Sequence, residues 1–118
     1  MNIQTIDQKL AARAYTEVSK RVKSQDAKEY KTFAKQFPAL IHTCGLCQAV
    51  VFAQSKKGDA SSHVLDDFVQ ILEPQNTTDH FVSTTRSLSM LDYTVLSRRA
   101  MRAAEWLKRQ ADALIEGD

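Results

Sequence analysis

Two cysteines three positions apart, in Cys44-Gly45-Leu46-Cys47, have the spacing of a thiol redox pair or of half a zinc site. A redox pair needs its first cysteine exposed at a helix N-terminus, where the thiolate is stabilised. Here both cysteines fall inside an apolar, helical-looking stretch. A structural zinc site needs four ligands. No second cysteine pair exists, and His42, His63 and His80 are scattered. The expected state is two buried, inert thiols.

A second group of residues has a mechanism. Arg98, Arg102 and Arg109 are separated by steps of four, seven and eleven, which almost complete whole helical turns. They therefore share one side of a helix. Trp106 flanks them, and Lys108 adjoins Arg109. Guanidinium groups pair with phosphate, and an aromatic neighbour can stack on a base. The same pattern also fits an ordinary wet helix face with Trp106 packed in the core or against a partner protein. Lys35, in a lysine-rich stretch, is a further candidate for phosphate contact. The candidate phosphate-facing, nucleic-acid-binding residues are thus Arg98, Arg102, Lys108, Arg109 and Lys35, with Trp106 a candidate interface residue.

The remaining polar groups offer less. No Ser/His/Asp grouping or paired carboxylates at an evident site accompany the histidines, so surface or helix-edge placement is expected. Asp66 and Asp67 are adjacent and point in different directions on a helix, which fits a solvated face near an N-terminal dipole better than a metal site. No glycine-rich phosphate loop occurs. No catalytic residue, metal or cofactor is assigned.

Helical spacing dominates the chain. Ile3, Ile6, Leu10, Ala14, Tyr15, Val18 and Val22 form a stripe that predicts a helix from about residue 3 to 22. Asp26 with Glu29 reads as a variant capping box for a second helix, whose apolar side is Tyr30, Phe33, Ala34 and Phe37. Pro38 should end that helix and open a third. The third reaches about Gln54, with apolar groups all round it, and reads as a central, buried helix containing Gly45. Ser61 or Ser62 should cap a fourth, ended by Glu73-Pro74. Residues 74–88 are polar and read as a loop with room for one short turn around Phe81. Ser89 caps a last helix reaching about Ile115, with Tyr93, Leu96, Ala100, Ala103, Leu107, Ala111 and Leu114 as its buried stripe.

The fold class expected is all-α, a compact bundle of about five main helices plus one short helix. With 118 residues, 43% hydrophobic and 25% charged, the chain fits one domain able to bury its own core. Net charge is only +2, but it is unevenly spread. Residues 20–35 and 98–109 each carry a local +4, while residues 59–79 carry −5. Such sidedness suits charged partners. The start lacks a basic n-region and an apolar h-region, and no apolar run reaches bilayer length, so a cytoplasmic location with reduced thiols is expected and no membrane partner.

Two stretches resemble a known family. One is Tyr30-Lys-Thr-Phe-Ala-Lys-Gln-Phe-Pro38-Ala-Leu-Ile41, followed by Gly45-Leu46 and Gln48-Ala-Val-Val-Phe52. The other is Tyr93 to Arg98, followed by Ala103-Ala-Glu-Trp106-Leu-Lys-Arg109. Together they resemble the small α-helical subunit of the type III-B CRISPR effector, the Cmr complex. The resemblance implies a non-catalytic subunit whose copies stack beside the guide-holding backbone subunits and help form the groove for target RNA. Its partners would be the backbone and large subunits, other copies of itself, and the crRNA–target heteroduplex, contacted through its backbone or indirectly. It implies architectural roles for Pro38, Leu40, Ile41, Gly45, Leu46, Phe52, Trp106 and Leu107, and makes Lys108 and Arg109 the positions most easily given an RNA-facing role. Rival readings are the small subunit of a type III-A complex, a helical protein–protein adaptor without RNA, and an enzyme resting on Cys44 and Cys47.

Overall fold

In a computed structural model describing residues 4–117, six helices follow one another with short connections. They are α1 (Ile6–Ser19), α2 (Ala27–Cys44), α3 (Leu46–Ser55), α4 (Asp59–Leu72), α5 (Thr78–Ser87) and α6 (Met90–Leu114). No strand occurs among the described residues. The all-α bundle expected from the sequence is what forms. α6 lies along α1 and α2, α4 packs beneath all three, and α3 and α5 close one end against α4. Ala100, Ala103, Ala104 and Ala111 are fully buried on α6, so small side chains line its contact face.

The helix starts show where local chemistry decides. Thr5 and Gln8 form a reciprocal capping box at α1. Ser89 accepts from the Asp92 N–H at α6, as its position in the sequence implies. Asp26, by contrast, makes no cap. Its carboxylate instead accepts from Ser24 Oγ and meets His63 Nδ1 at 2.9 Å, tying the α1–α2 turn to α4. α4 starts at Asp59, directly after Gly58, rather than at a serine cap, and Ser61 is buried inside it.

Pro38 does not divide two helices. α2 runs through it to Cys44, and the break falls at Gly45. A mid-helix proline costs about 3 kcal/mol or more. Phe33, Phe37, Pro38 and Ile41 are all buried on the same run, and that packing holds the helix continuous. Gly45 adopts φ +86° and ψ 159°, a region essentially restricted to glycine. Beyond it the Tyr93 hydroxyl accepts from the Cys47 N–H at 2.9 Å, capping α3. A Cβ on residue 45 would lie 3.4 Å from the same oxygen. Gly45→Ala should therefore cost about 1–3 kcal/mol in urea denaturation, mainly through backbone strain. A loss below about 0.5 kcal/mol would show that the junction relaxes freely.

Breaking the chain at Gly45 overturns the reading of a helix buried all round. α3 buries Leu46, Ala49, Val50 and Ala53, while Val51 and Phe52 stand 42% and 45% exposed. Cys44 is exposed and Cys47 half-buried, so the two thiols are not both core residues. α1 is also narrower in its contact than its periodicity implies. Leu10, Ala14 and Val18 are buried, but Ile6 and Tyr15 are exposed. The helix ends at Ser19 rather than reaching residue 22, with Val22 exposed in the turn beyond it, and Ile3 lies outside the described residues. Residues 78–87, expected as loop, form a ten-residue helix capped by Thr77, because Phe81, Val82 and Thr85 find buried places.

All five phenylalanines form one chain of ring contacts across four helices. Phe52 stacks on Phe33 at 6.3 Å, and Phe33 meets Phe37 at 5.8 Å. Phe37 meets Phe68 edge-on at 5.0 Å, and Phe68 meets Phe81 edge-on at 5.9 Å.

Two buried polar knots complete the interior. Arg21 Nε and Nη2 each donate at 2.9 Å to the Asp67 carboxylate, which also accepts from the Tyr30 hydroxyl at 2.6 Å. Burial, then the neighbouring Asp67 charge, pushes the Tyr30 phenol far above its ordinary range. Asp67 is therefore no part of a solvated face, although Asp66 beside it is exposed and accepts from Thr78. Elsewhere Lys31 is buried, and its ammonium donates at 2.8 Å to the carbonyls of Ile115 and Gly117 beyond the end of α6.

Candidate nucleic-acid interface

The outward face of α6 is set by what the helix buries. Leu96, Ala103, Leu107 and Ala111 point inward. At about 100° per residue, Arg98, Arg102 and Arg109 then fall within about 40° of arc on the opposite side. All three are exposed. The structure brings this row together as its spacing requires. Arg99, also exposed, stands about 100° round the helix from Arg98, toward α1.

Both edges of the row are anchored to neighbouring helices. On the α1 side, Arg102 Nη2 donates to Asp7 Oδ2 at 3.1 Å, and Trp106 Nε1 donates to Asp7 Oδ1 at 3.3 Å. Gln110 reaches the Ala11 carbonyl at 3.4 Å. The Arg109 guanidinium lies 5.0 Å from the Trp106 ring centroid. Trp106 is thus half-buried, with its N–H used and a cation over its ring, which leaves it a strut between helices rather than a platform for a base. On the α2 side, Lys35 Nζ is 3.5 Å from Asp112 Oδ1, and Lys108 is half-buried near the same end of α6.

Asp7 holds the α1 edge. The hydrogen bonds from Trp106 and then Arg102 keep its carboxyl below the usual carboxylate range. A depressed carboxyl contributes its stability above the unfolded-state value. The contribution fades as pH falls through the folded one, so the strap weakens only in acid. No local pattern in the sequence singles out Asp7 or Lys31. Their partners lie 95 and 84 residues away, beyond any local spacing rule.

Charge along the row is only partly compensated. Arg102 and Lys35 have carboxylate partners. Among the described residues, Arg98, Arg99, Lys108 and Arg109 have none within 4.0 Å. The face can therefore present several cations to an extended polyanion. The histidines take other roles: His63 pairs with Asp26, His80 meets Asn76 Oδ1 at 3.0 Å, and His42 is exposed. Among the described residues no three His, Cys, Asp or Glu side chains gather as metal ligands, and no helix is long and apolar enough to cross a membrane.

The profile of a family described as "CRISPR-associated protein (Cas_Cmr5)" matches residues 6–114. The chain belongs to the Cmr5 family. It is 33% identical over 114 residues to the Cmr subunit Cmr5 of the CRISPR system of Thermus thermophilus, covering 97% of this chain and 99% of that one. A crystal structure of a Cmr5 family protein from the same organism superposes with a TM-score of 0.91, over 97% of this chain and all of the other. The resemblance to the small subunit of the type III-B effector is thereby established.

Within this Cmr5 fold, the positions that carry the resemblance divide by burial. Pro38, Ile41, Leu46 and Leu107 are core, and Leu40 and Trp106 are half-buried at helix contacts. Phe52 is the exception, being largely at the surface and stacked on Phe33.

Proposed function

We propose that this Cmr5-family chain acts as the non-catalytic small subunit of a type III-B ribonucleoprotein in the cytoplasm. Its copies stack beside the backbone subunits that hold the guide, and contact the large subunit. The outward face of α6 runs along the phosphates of the crRNA–target heteroduplex. The observation that carries this reading is the row of Arg98, Arg102 and Arg109 on one exposed face, with Lys108 and Lys35 on its α2 side. Such a face neutralises phosphate without reading sequence, which suits a complex in which base pairing supplies specificity. The purified chain should cleave no RNA.

The test uses the reconstituted complex, titrated with target RNA at several salt concentrations. Replacing Arg98, Arg102 and Arg109 with alanine should weaken binding alike for all target sequences. Three lost contacts at about 0.7 ions each should lower the log–log salt slope by about 2. Unchanged affinity and slope, with the variant fully incorporated, would remove the row from the RNA groove. Failure to incorporate would place the row and the Trp106 strut at a protein–protein contact instead, the second reading that the packed state of Trp106 favours.

A further inference from the structure

A recess of about 550 Å³ opens between the start of α1, the end of α4 and the middle of α6. Its apolar wall is Ile6, Leu10, Leu72 and Pro74. Ile6 belongs to the periodic stripe of α1 yet is 64% exposed, and Pro74 is exposed beside it. Leu10 and Leu72 are buried, so the uncovered apolar surface is that of Ile6 and Pro74. Around it stand Lys9, Arg13, Arg99 and Arg102, against one lining carboxylate, Glu73. Arg13 donates to the Ile71 carbonyl at 2.7 Å and Arg102 pairs with Asp7. Lys9 and Arg99 have no carboxylate partner within 4.0 Å among the described residues.

An aliphatic wall beside unpartnered cations selects a ligand with a flat apolar body and an anionic group. We infer that the recess binds a single unstacked nucleotide, its base against Ile6 and Pro74 and its phosphate between Lys9 and Arg99. A guanidinium plane can also stack on a base, and Arg99 and Arg102 both stand at the rim. The surplus of cations favours phosphate over the single carboxylate of an acidic side chain. The nucleotide is either an unpaired residue of an RNA strand or a free mononucleotide. Where it belongs to target RNA, the inference rests on the reading above. The site is separate from the row on the outward face and shares only Arg102 with it.

The test is amide NMR of the isolated chain titrated with uridine 5′-monophosphate, ribose 5-phosphate and inorganic phosphate. Shifts should concentrate at Ile6, Leu10, Leu72 and Arg99. The nucleotide should bind about tenfold more tightly than ribose 5-phosphate, the gain from covering roughly 50–60 Å² of apolar surface. Ile6→Ser should abolish that preference, and Arg99→Gln should weaken all three ligands. A short oligouridylate shifting the same amides at lower concentration identifies an RNA strand as the source. An oligonucleotide that leaves them unmoved, while the mononucleotide shifts them, identifies the free nucleotide. Equal responses to all three anions, no response at these amides, or a response only to an acidic apolar peptide would overturn the site. Ile6→Ser alters no charge and should leave the salt slope of the reconstituted complex intact. Failure of this inference is thereby distinguishable from failure of the RNA-face reading.

Discussion

Phe68→Ala should destabilise the fold by about 3–5 kcal/mol, the range for deleting a large buried aromatic ring. Phe68 is fully buried on α4 and sits between Phe37 and Phe81, so its loss opens a void that touches three helices. The urea midpoint should fall steeply with the slope of the transition preserved. Phe52→Ala gives the contrast. Phe52 is 45% exposed at the outer end of the same chain of rings, and its truncation should cost nearer to about 1 kcal/mol. Equal losses at the two positions would mean that the ring chain does not end at the surface as described.

Asp67→Ala should cost about 3 kcal/mol or more, because it strands a guanidinium and a phenol that share one buried carboxylate. Asp67 is nearly fully buried, whereas the Arg21 side chain keeps 25% of its exposure and some access to water. That access places the loss at the lower end of the range for breaking a buried pair. The partner substitution Tyr30→Phe, which removes one hydroxyl and leaves the ion pair, should cost less, about 1.5–2 kcal/mol, the lower part of the range for a hydrogen bond to a charged group. Replacing both charges, as Arg21→Met with Asp67→Leu, should recover part of the Asp67→Ala loss, since no unpaired charge remains although the Tyr30 hydroxyl still lacks its acceptor. Chemical denaturation of these variants beside the parent chain decides the matter. If the double replacement is as unstable as Asp67→Ala, the knot contributes by shape rather than by charge pairing.

The parts of this molecule legible in its sequence are those governed by local rules. Ser89 caps α6, Glu73-Pro74 ends α4, and the helical spacing along residues 96–111 places the arginine row outward, all from local pattern alone. The family resemblance likewise rests on contiguous residues. What stays hidden depends on partners distant in the chain. Pro38 follows a sound local rule, yet burial of its flanks keeps α2 whole and moves the break to Gly45. The same displacement explains why the local pattern places Phe52, Cys44 and Val51 in the interior when they stand at the surface. Residues 78–87 have weak intrinsic helical preference and are held by Phe81 and Val82 in the core. Asp67 has nothing local to mark it as buried, because its two partners lie 46 and 37 residues away. At the candidate interface the outward row is readable, but its flanks are not. Asp7 and Asp112, which hold Arg102 and Lys35, belong to contacts between helices that no single-helix pattern contains.

The packing of the last helix against the first two has a bearing on synthesis. α6 covers the buried faces of α1 and α2, and the Lys31 ammonium is satisfied by carbonyls at residues 115 and 117. On the ribosome, a chain that has emerged only as far as α5 has neither. Its leading helices must then wait for α6 to emerge before they gain their final cover. Folding of this subunit should therefore complete only once α6 has emerged rather than helix by helix, and a nascent chain stalled before α6 should expose apolar surface to chaperones.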